Sequence, residues 1–334
     1  MLTKRGLGTV AVVVVLVAMA VQFGARQLGA IVLPLFIALL GAVIQMVLTG
    51  RPDVERVLPD AGHIGERKRV GLTFDVASPV AASVHDELPP AVDGEGNEFE
   101  TTIGRTEHDY GVEYRVRGEH ELGPLTVTVT DVLGLAERSY TYSMPDTVLV
   151  YPRVYTLTGS TRHELNLLPE GAFDTNREEF DRLREYDRSD SLRDVHWKSS
   201  AKRPADDLVV KEFLAENDLG DVRIAAEAAE GWDDEMAEAA ASIALYLLDN
   251  GIAVGLASPN GELDVAAGAD QRERLLRQLA TVGPGQVPDH YRENADVVIT
   301  ASDEARVSVR LPGHEVPFET FVGDDVPPGG EVAA

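Results

Sequence analysis

Two long apolar stretches open the chain. Residues from Gly6 to Ala25 carry no charge, Arg26 interrupts them, and a second uncharged stretch runs from Gln27 to Gly50. Each stretch is long enough to cross the roughly 30 Å hydrocarbon layer of a bilayer as a helix. Because the gap between them is short, the pattern predicts a transmembrane helical hairpin over residues 1–50.

Basic residues flank the outer ends of this hairpin: Lys4 and Arg5 before it, and Arg51, Arg56 and the run 67–69 after it. Since cytoplasmic flanks of membrane spans are enriched in Lys and Arg, the N-terminus and the soluble domains are predicted to be cytoplasmic. An alternative stays open. The basic start, the apolar run and the small residues at 18–20 also fit a secretory signal peptide, which would make this an extracytoplasmic envelope protein.

The pattern changes to strict alternation after the hairpin. Leu125, Val127 and Val129 alternate with threonines, and Gly123–Pro124 marks a turn. Short alternating runs between turn residues predict an antiparallel, Ig-like β-sandwich over residues 70–155. Residues 51–69 are assigned to a basic juxtamembrane linker, and nothing in the sandwich pattern indicates chemistry.

A third pattern begins near residue 216. Predicted strands at 221–228, 252–258, 295–300 and 306–311 alternate with predicted helices at 233–251 and 269–283. Asp233 or Asp234 is expected to cap the first helix and Gly251 to end it. The order predicts a parallel, doubly wound α/β sheet over residues 216–320, with a disordered tail at 321–334. No Gly-rich phosphate loop opens either helix, so a nucleotide site is not supported.

Charge narrows the functional classes. The net charge is -26, from 56 acidic and 30 basic residues, and there is no cysteine. Disulfides and thiolate metal sites are therefore excluded, and nucleic acid is not an expected partner because phosphate binding needs a positive surface. So acidic a chain repels itself unless salt screens it. We interpret this composition as adaptation to a high-salt cytoplasm, and an ordinary acidic protein is the alternative.

One segment, 156–215, departs from this acidity. Residues 177–212 hold 9 basic and 10 acidic side chains, a net charge of -1. Such a balance predicts intramolecular ion pairs or a neutral contact surface. Within the segment His196 lies near Asp194 and Ser200, so a membrane-bound hydrolase-like enzyme using His196 and nearby carboxylates is a second hypothesis. The geometry of a catalytic triad cannot be read from such spacing, and a structural histidine is the favoured interpretation.

The same segment resembles a known family. "FDRLREYDRSDSLRDVHWKSSAKR", followed by "LVVKEF", is similar to the signature of domain-of-unknown-function family 58. "ELGPLTVTVTDVLGL", "VLVYPRV" and the two leading spans also resemble that family. Two departures are Ser189, where the family has Gly, and Lys202, where it has Arg.

The resemblance implies a membrane-anchored protein with a C-terminal von Willebrand factor A-like domain and a MoxR-type AAA+ ATPase as partner, acting in protein maturation or complex assembly. Other membrane or envelope proteins, as well as the lipid bilayer, are further expected partners. We expect no catalytic residues and no cofactor. The segment's expected role is docking or domain junction, carried by Arg184, Tyr186, Asp190, Arg193, His196, Trp197, Lys198, Ser200 and Lys202.

A metal-like spacing lies in this segment. Asp187, Ser189 and Ser191 form the D-x-S-x-S pattern that opens many Mg²⁺ sites of A-type domains, but there the pattern follows a buried strand. "FDRLREY" is charged and helix-like, so we interpret the match as chance. At the end of the strand 221–228, Glu227 and then Ala229 and Gly231 replace the ligands. A degenerate A-type domain without a metal is therefore predicted.

Overall fold

The chain forms two compact units, residues 1–153 and 154–334. A computed structural model describes residues 2–24, 26–158, 163–165, 168, 183–185, 209–211 and 220–322. The first unit holds two helices and a β-sandwich. The second unit is an α/β domain.

Two apolar helices begin the first unit, as the sequence predicts. Helix α1 covers Lys4–Phe23 and helix α2 covers Gly29–Thr49, joined by a 3-10 turn at Arg26–Leu28. The Thr3 side chain caps α1, and Gly24 ends it in the left-handed region at φ 60°. Both helices are long and apolar enough to cross a membrane. Most of their side chains are exposed, which distinguishes them from core helices of a soluble domain.

The sandwich strands are β1 (Asp53–Val57), β2 (Gly62–His63), β3 (Arg67–Asp86), β4 (Val92–Glu95), β5 (Glu98–Tyr114), β6 (Gly118–Leu122), β7 (Leu125–Thr130), β8 (Glu137–Tyr142) and β9 (Asp146–Tyr151). One sheet has the order β4-β5-β3-β7-β8, with β1 also paired to β3, and the second has the order β2-β9-β6. All pairings are antiparallel except that of β2 with β9. The predicted β-sandwich is thus confirmed.

Two strands are much longer than the short strands predicted. β3 has 20 residues and β5 has 17, whereas strands average about 5–6 residues. A register shift between Asp75 and Val80 divides β3. Its first half pairs with β1 and its second half with β7. One bent strand therefore serves two sets of neighbours.

The linker prediction for residues 51–69 is wrong. These residues form β1, β2 and the start of β3. The sequence pattern does not indicate β1, because a charged residue, Arg56, occupies a position that faces the core. There it is buried in an ion pair with Asp86. A buried charge with a partner looks like a surface charge in a sequence pattern.

Short strands β10 (Leu183–Glu185) and β11 (Val209–Lys211) pair with each other in antiparallel orientation. The α/β elements are β12 (Asp221–Ala228), α3 (Asp233–Asp249), β13 (Ala253–Ser258), β14 (Gly261–Ala266), α4 (Ala269–Thr281), α5 (Asp289–Glu293), β15 (Val297–Ser302), β16 (Arg306–Leu311), β17 (His314–Pro317) and α6 (Glu319–Val322). The sheet order is β14-β13-β12-β15-β16-β17.

This sheet is mixed, not wholly parallel. β12 lies between β13 and β15 and is parallel to both, as predicted. β14 and β16 are antiparallel to their neighbours, because the turns at 259–260 and 303–305 are too short for a crossover.

The two faces of this sheet are covered differently. Helix α3 packs on β12, β13, β15 and β16 and against α4, so these two helices share one face. The other face is covered by Val287, which packs with Ala225 and Val298 beside α5. The two predicted long helices therefore do not lie on opposite faces.

Three local predictions are also corrected. Trp232 occupies the N-cap of α3 instead of Asp233 or Asp234, and its side chain makes no capping hydrogen bond to the helix. Phe321 and Val322, assigned to a tail, are buried in α6. Leu183–Glu185, within the run before Asp187 that the sequence predicts to be helix-like, is a strand.

Candidate functional site

The predicted docking surface lies almost wholly outside the described residues. The backbone of Arg184 pairs with Val210 in the β10–β11 ladder. The other predicted residues lie outside the described part of the chain: Tyr186, Asp190, Arg193, His196, Trp197, Lys198, Ser200 and Lys202. Their docking or junction role therefore stays a prediction. The interpretation of the Asp187, Ser189 and Ser191 spacing as a chance match also stays a prediction, because these residues lie outside the described part of the chain.

The described residues instead bring together a set of contacts at the start of α1. The backbone N–H of Thr3 donates to the carbonyl oxygen of Leu135 at 3.0 Å. The Thr3 hydroxyl donates to the carbonyl oxygen of Gly134 at 2.6 Å and accepts the N–H of Gly6 at 3.0 Å. One side chain thus caps the helix and fastens it to the sandwich.

The helix and the loop approach each other closely at Gly6. A Cβ atom at this position would lie 1.9 Å from the carbonyl oxygen of Leu135. Leu135 is buried in the same hydrophobic cluster as Met46 of α2 and the sandwich core. The absence of a side chain at Gly6 is therefore what allows the first turn of α1 to pack on this loop.

A single carboxylate organises the loop that α1 contacts. Asp131 accepts the backbone N–H groups of Leu133 at 2.8 Å and of Leu135 and Ala136 at 2.6 Å each. Gly134 adopts φ 67°, a conformation in which a side chain is strained. The loop between β7 and β8 therefore has a fixed conformation.

The end of α2 is fastened by two tyrosines of β8. The Tyr140 hydroxyl donates to the carbonyl oxygen of Gly50 at 2.6 Å, and the Tyr142 hydroxyl donates to that of Pro52 at 2.5 Å. The Arg51 guanidinium lies over the Tyr142 ring at 4.5 Å. Burial raises the pKa of Tyr142, and Arg51 opposes that effect. We call these contacts, made by Thr3, Gly6, Gly50, Arg51, Pro52, Gly134, Leu135, Tyr140 and Tyr142, the helix–sandwich junction.

A buried ion pair lies just beyond the junction. The Arg56 guanidinium donates to both carboxylate oxygens of Asp86, at 3.1 and 2.5 Å, and to Asp146 at 3.0 Å. The Tyr110 hydroxyl donates to Asp86 at 2.7 Å. Burial and then the Asp86 carboxylate raise the pKa of Tyr110, so it stays a neutral donor. Since every charge has a partner, the network holds β1 in the sandwich.

The α/β unit has a separate edge of interest, where β12 ends. Glu227 is buried and accepts from Arg292 at 2.8 Å and from the backbone N–H of Val287 at 3.2 Å. Its carboxylate is therefore already engaged. The indole N–H of Trp232 donates to Asp303, which follows β15, at 2.7 Å. Crevices at such carboxyl ends, where the strand order reverses, are where α/β sheets commonly bind ligands.

The chemistry available here is limited. Within the ranges that the structure describes, no three His, Asp or Glu side chains converge as a metal site would require. Ala229 and Gly231, next along the chain, have no side-chain oxygen. These two positions therefore cannot supply side-chain ligands to a cation.

Sequence reasoning missed the junction, although two signals for it exist. Tyr140 and Tyr142 are two positions apart in a strand, which places both on one face. The run from Asp131 to Gly134 has an acceptor followed by a glycine, which is typical of a side-chain-stabilised turn. Neither signal indicates what the turn or the tyrosines contact, and Gly6 gives no signal at all.

The chain was compared with known proteins. No protein-family profile matches it. It is 28% identical over 172 residues to an uncharacterised protein, YeaD, of Bacillus subtilis (strain 168). That match covers 49% of this chain and 42% of YeaD, so the chain spans less than half the length of this relative.

Solved structures give weak likenesses. The PKD domain of an M14-like peptidase from Thermoplasmatales archaeon SCGC AB-540-F20 covers 28% of this chain and 93% of its own, at 18% identity and a TM-score of 0.16. The SrpA adhesin of Streptococcus sanguinis covers 41% of this chain and 81% of its own, at 11% identity and a TM-score of 0.22. These scores support no argument about function.

Proposed function

We propose that this protein is a membrane-anchored, non-enzymatic adaptor that holds a protein-binding α/β domain at the cytoplasmic face of the cell membrane. The observation that carries the proposal is the helix–sandwich junction. Hydrogen bonds from Thr3, Tyr140 and Tyr142 fasten the outer ends of both apolar helices to the sandwich. Such fastening suits a rigid anchor, because a flexible tether would not need it.

The proposal extends to family and partner. The signature segment and the partial likeness to YeaD support membership of domain-of-unknown-function family 58. The parallel order β13-β12-β15 supports an A-type-like domain. If the domain is of this type, the Glu227–Arg292 ion pair lies next to the strand end at which A-type domains bind metal. The partner we propose is a MoxR-type AAA+ ATPase, acting in protein maturation or complex assembly, and the docking surface is the signature segment.

Co-purification from membranes tests the partnership. The full chain is extracted in detergent and high KCl, and proteins that accompany it are identified. We expect a AAA+ ATPase with the wild type and its loss with Trp197→Ala plus Arg193→Ala. Arg277→Ala, which removes one exposed ion pair on α4, is the matched control and should retain the ATPase. Absence of an ATPase from the wild type, or equal recovery with the double variant, would refute the docking proposal.

Orientation is tested separately. In intact cells the soluble domains should resist added protease and become sensitive after lysis. Cleavage without lysis would contradict the cytoplasmic placement and favour the envelope hypothesis. A His196→Ala chain should function like the wild type in cells, and loss of function with partner recovery intact would favour the enzyme hypothesis.

A further inference from the structure

Two apolar side chains project from the loop that α1 contacts. Val132 is 84% exposed and Leu133 is 56% exposed. The other two apolar residues of this loop, Leu135 and Ala136, are buried in the sandwich core. The loop therefore divides its apolar residues into an inward pair and an outward pair, and the described residues of the first unit leave the outward pair largely exposed.

The exposure of this pair is fixed by the backbone. Asp131 accepts three N–H groups of the loop, from Leu133, Leu135 and Ala136. Because these bonds fix the backbone on both sides of Leu133, they set the direction in which its side chain leaves the loop. A contiguous exposed apolar patch often marks an interaction surface, and Val132 and Leu133 are adjacent in the loop.

The position of the loop indicates what covers it. Gly134, the residue after Leu133, accepts the hydroxyl of Thr3, which caps α1. The uncharged stretch of α1 starts at Gly6, one helical turn further along. The outward pair therefore lies beside the point at which the apolar helix begins. Lys4 and Arg5 lie in the same turn, and such residues suit anionic lipid headgroups.

We propose that Val132 and Leu133 insert into the boundary between headgroups and acyl chains of the leaflet that α1 enters. The proposal rests on the proposed function, because it requires α1 to span the bilayer. The loop would then be a third membrane contact beside the two helices. It would restrain the tilt of the sandwich relative to the bilayer in addition to the two fastened helices.

Lipid contact can be measured with single cysteines, since the natural chain has none. Leu133→Cys, Val14→Cys and Val116→Cys each carry an environment-sensitive fluorophore. Val14 lies in α1 and is 60% exposed, and Val116 follows β5 and is 45% exposed. Asp53, at the start of β1 after α2, pairs with Asp75 of β3, and Glu113, near the end of β5, pairs with Arg67 of β3. These two pairs are eight β3 positions apart, or about 26 Å, so Val116 lies far from the end of α2. The full-length proteins are reconstituted in vesicles of phosphatidylcholine and phosphatidylglycerol that contain spin-labelled phosphatidylcholine.

We expect blue-shifted emission and strong quenching at Val14, a smaller blue shift with clear quenching at Leu133, and neither at Val116. Quenching at Val14 with none at Leu133 would overturn this inference and leave the anchor intact. No quenching at Val14 would instead refute the anchor itself. Equal quenching at Leu133 and Val116 would also overturn the inference, because it would show general lipid proximity. Both substituted sandwich positions are exposed, and unfolding like that of the wild type checks that each variant is folded.

Discussion

Two glycines of α1 differ in what surrounds them, and this difference makes a residue-scale prediction. A Cβ at Gly6 would lie 1.9 Å from the carbonyl oxygen of Leu135, whereas a Cβ at Gly8 would meet nothing within 4 Å. Gly6→Ala should destabilise the first unit by about 1–3 kcal/mol, the usual cost of overpacking. Gly8→Ala should be neutral or stabilising, because alanine favours the helix. Thermal unfolding in detergent measures both, and equal effects would contradict the close approach at Gly6.

Two buried tyrosines predict an alkaline loss of stability. Burial, then Glu66 and Asp60, raises the pKa of Tyr114 to about 12. An unfolded tyrosine ionises near pH 10. The unfolded state therefore loses a proton between about pH 10 and 12 while the folded state keeps it, so stability is complete below pH 10 and falls above it. Burial and Asp86 shift the pKa of Tyr110 in the same direction.

Phenylalanine variants separate the roles of these tyrosines. Tyr114→Phe and Tyr110→Phe should each reduce the alkaline slope of the unfolding free energy. Only Tyr110→Phe should also lower stability at neutral pH, by about 1–2 kcal/mol, because Asp86 then loses a hydrogen-bond donor. Chemical denaturation at several pH values measures both effects. An unchanged slope in both variants would contradict the pKa shifts.

At the scale of elements, the sequence predicts where along the chain a strand lies better than it predicts which strands pair and in which orientation. The bounds of β12 and β16 are those predicted, because both contain branched apolar residues and lie between turn residues. The orientation of β16 could not be read from its own residues, since it depends on the length of the turn before it. β1 was missed because Arg56 breaks its apolar pattern, and its partner Asp86 lies 30 positions away. Local pattern carries no information on such a distant pair.

The candidate site follows the same division. The apolar helices are evident from composition, but their fastening to β8 is not. It depends on Tyr140 and Tyr142 reaching backbone carbonyls 90 residues earlier in the chain. Hydrogen bonds to carbonyl groups leave no trace in side-chain identity at the acceptor. The signature segment is evident from its resemblance to a family. No contact among the described residues indicates it independently.

A buried ion pair holds the segment that covers the second face of the α/β sheet. Arg292→Met would leave the Glu227 carboxylate buried without its cation. Since the Arg292 side chain is 29% exposed, we expect a loss of about 2–4 kcal/mol, below the full cost for a sealed pair. Arg292→Met with Glu227→Gln should recover part of it. Arg277→Ala, which removes an exposed pair, should cost about 0.5 kcal/mol or less. Denaturant midpoints of the four proteins test this. A similar cost for Arg292→Met and Arg277→Ala would contradict it.

At the scale of the whole molecule, charge is distributed unevenly. Residues 213–334 hold 24 acidic and 7 basic residues, a net of -17 of the total -26. Surface charges at this density repel one another over a Debye length of about 10 Å at 0.1 M salt, which shortens to about 3 Å at 1 M. Repulsion favours the expanded state, so screening should stabilise the α/β unit more than the sandwich.

The uneven charge predicts that salt stabilises the two units to different extents. A separate fluorescent reporter in each unit can measure this difference. The chain has two tryptophans, so Trp197→Phe leaves Trp232 as the fluorescent reporter of the α/β unit, and a labelled cysteine at Val116 reports on the sandwich. Between 0.1 and 1 M KCl the midpoint at Trp232 should rise more than that at the label. Glu230→Gln with Glu304→Gln, both exposed, should reduce that rise, because less repulsion then remains to be screened. A rise that is equal in both units, or unchanged in the neutralised variant, would mean that KCl acts by exclusion from the surface rather than by screening.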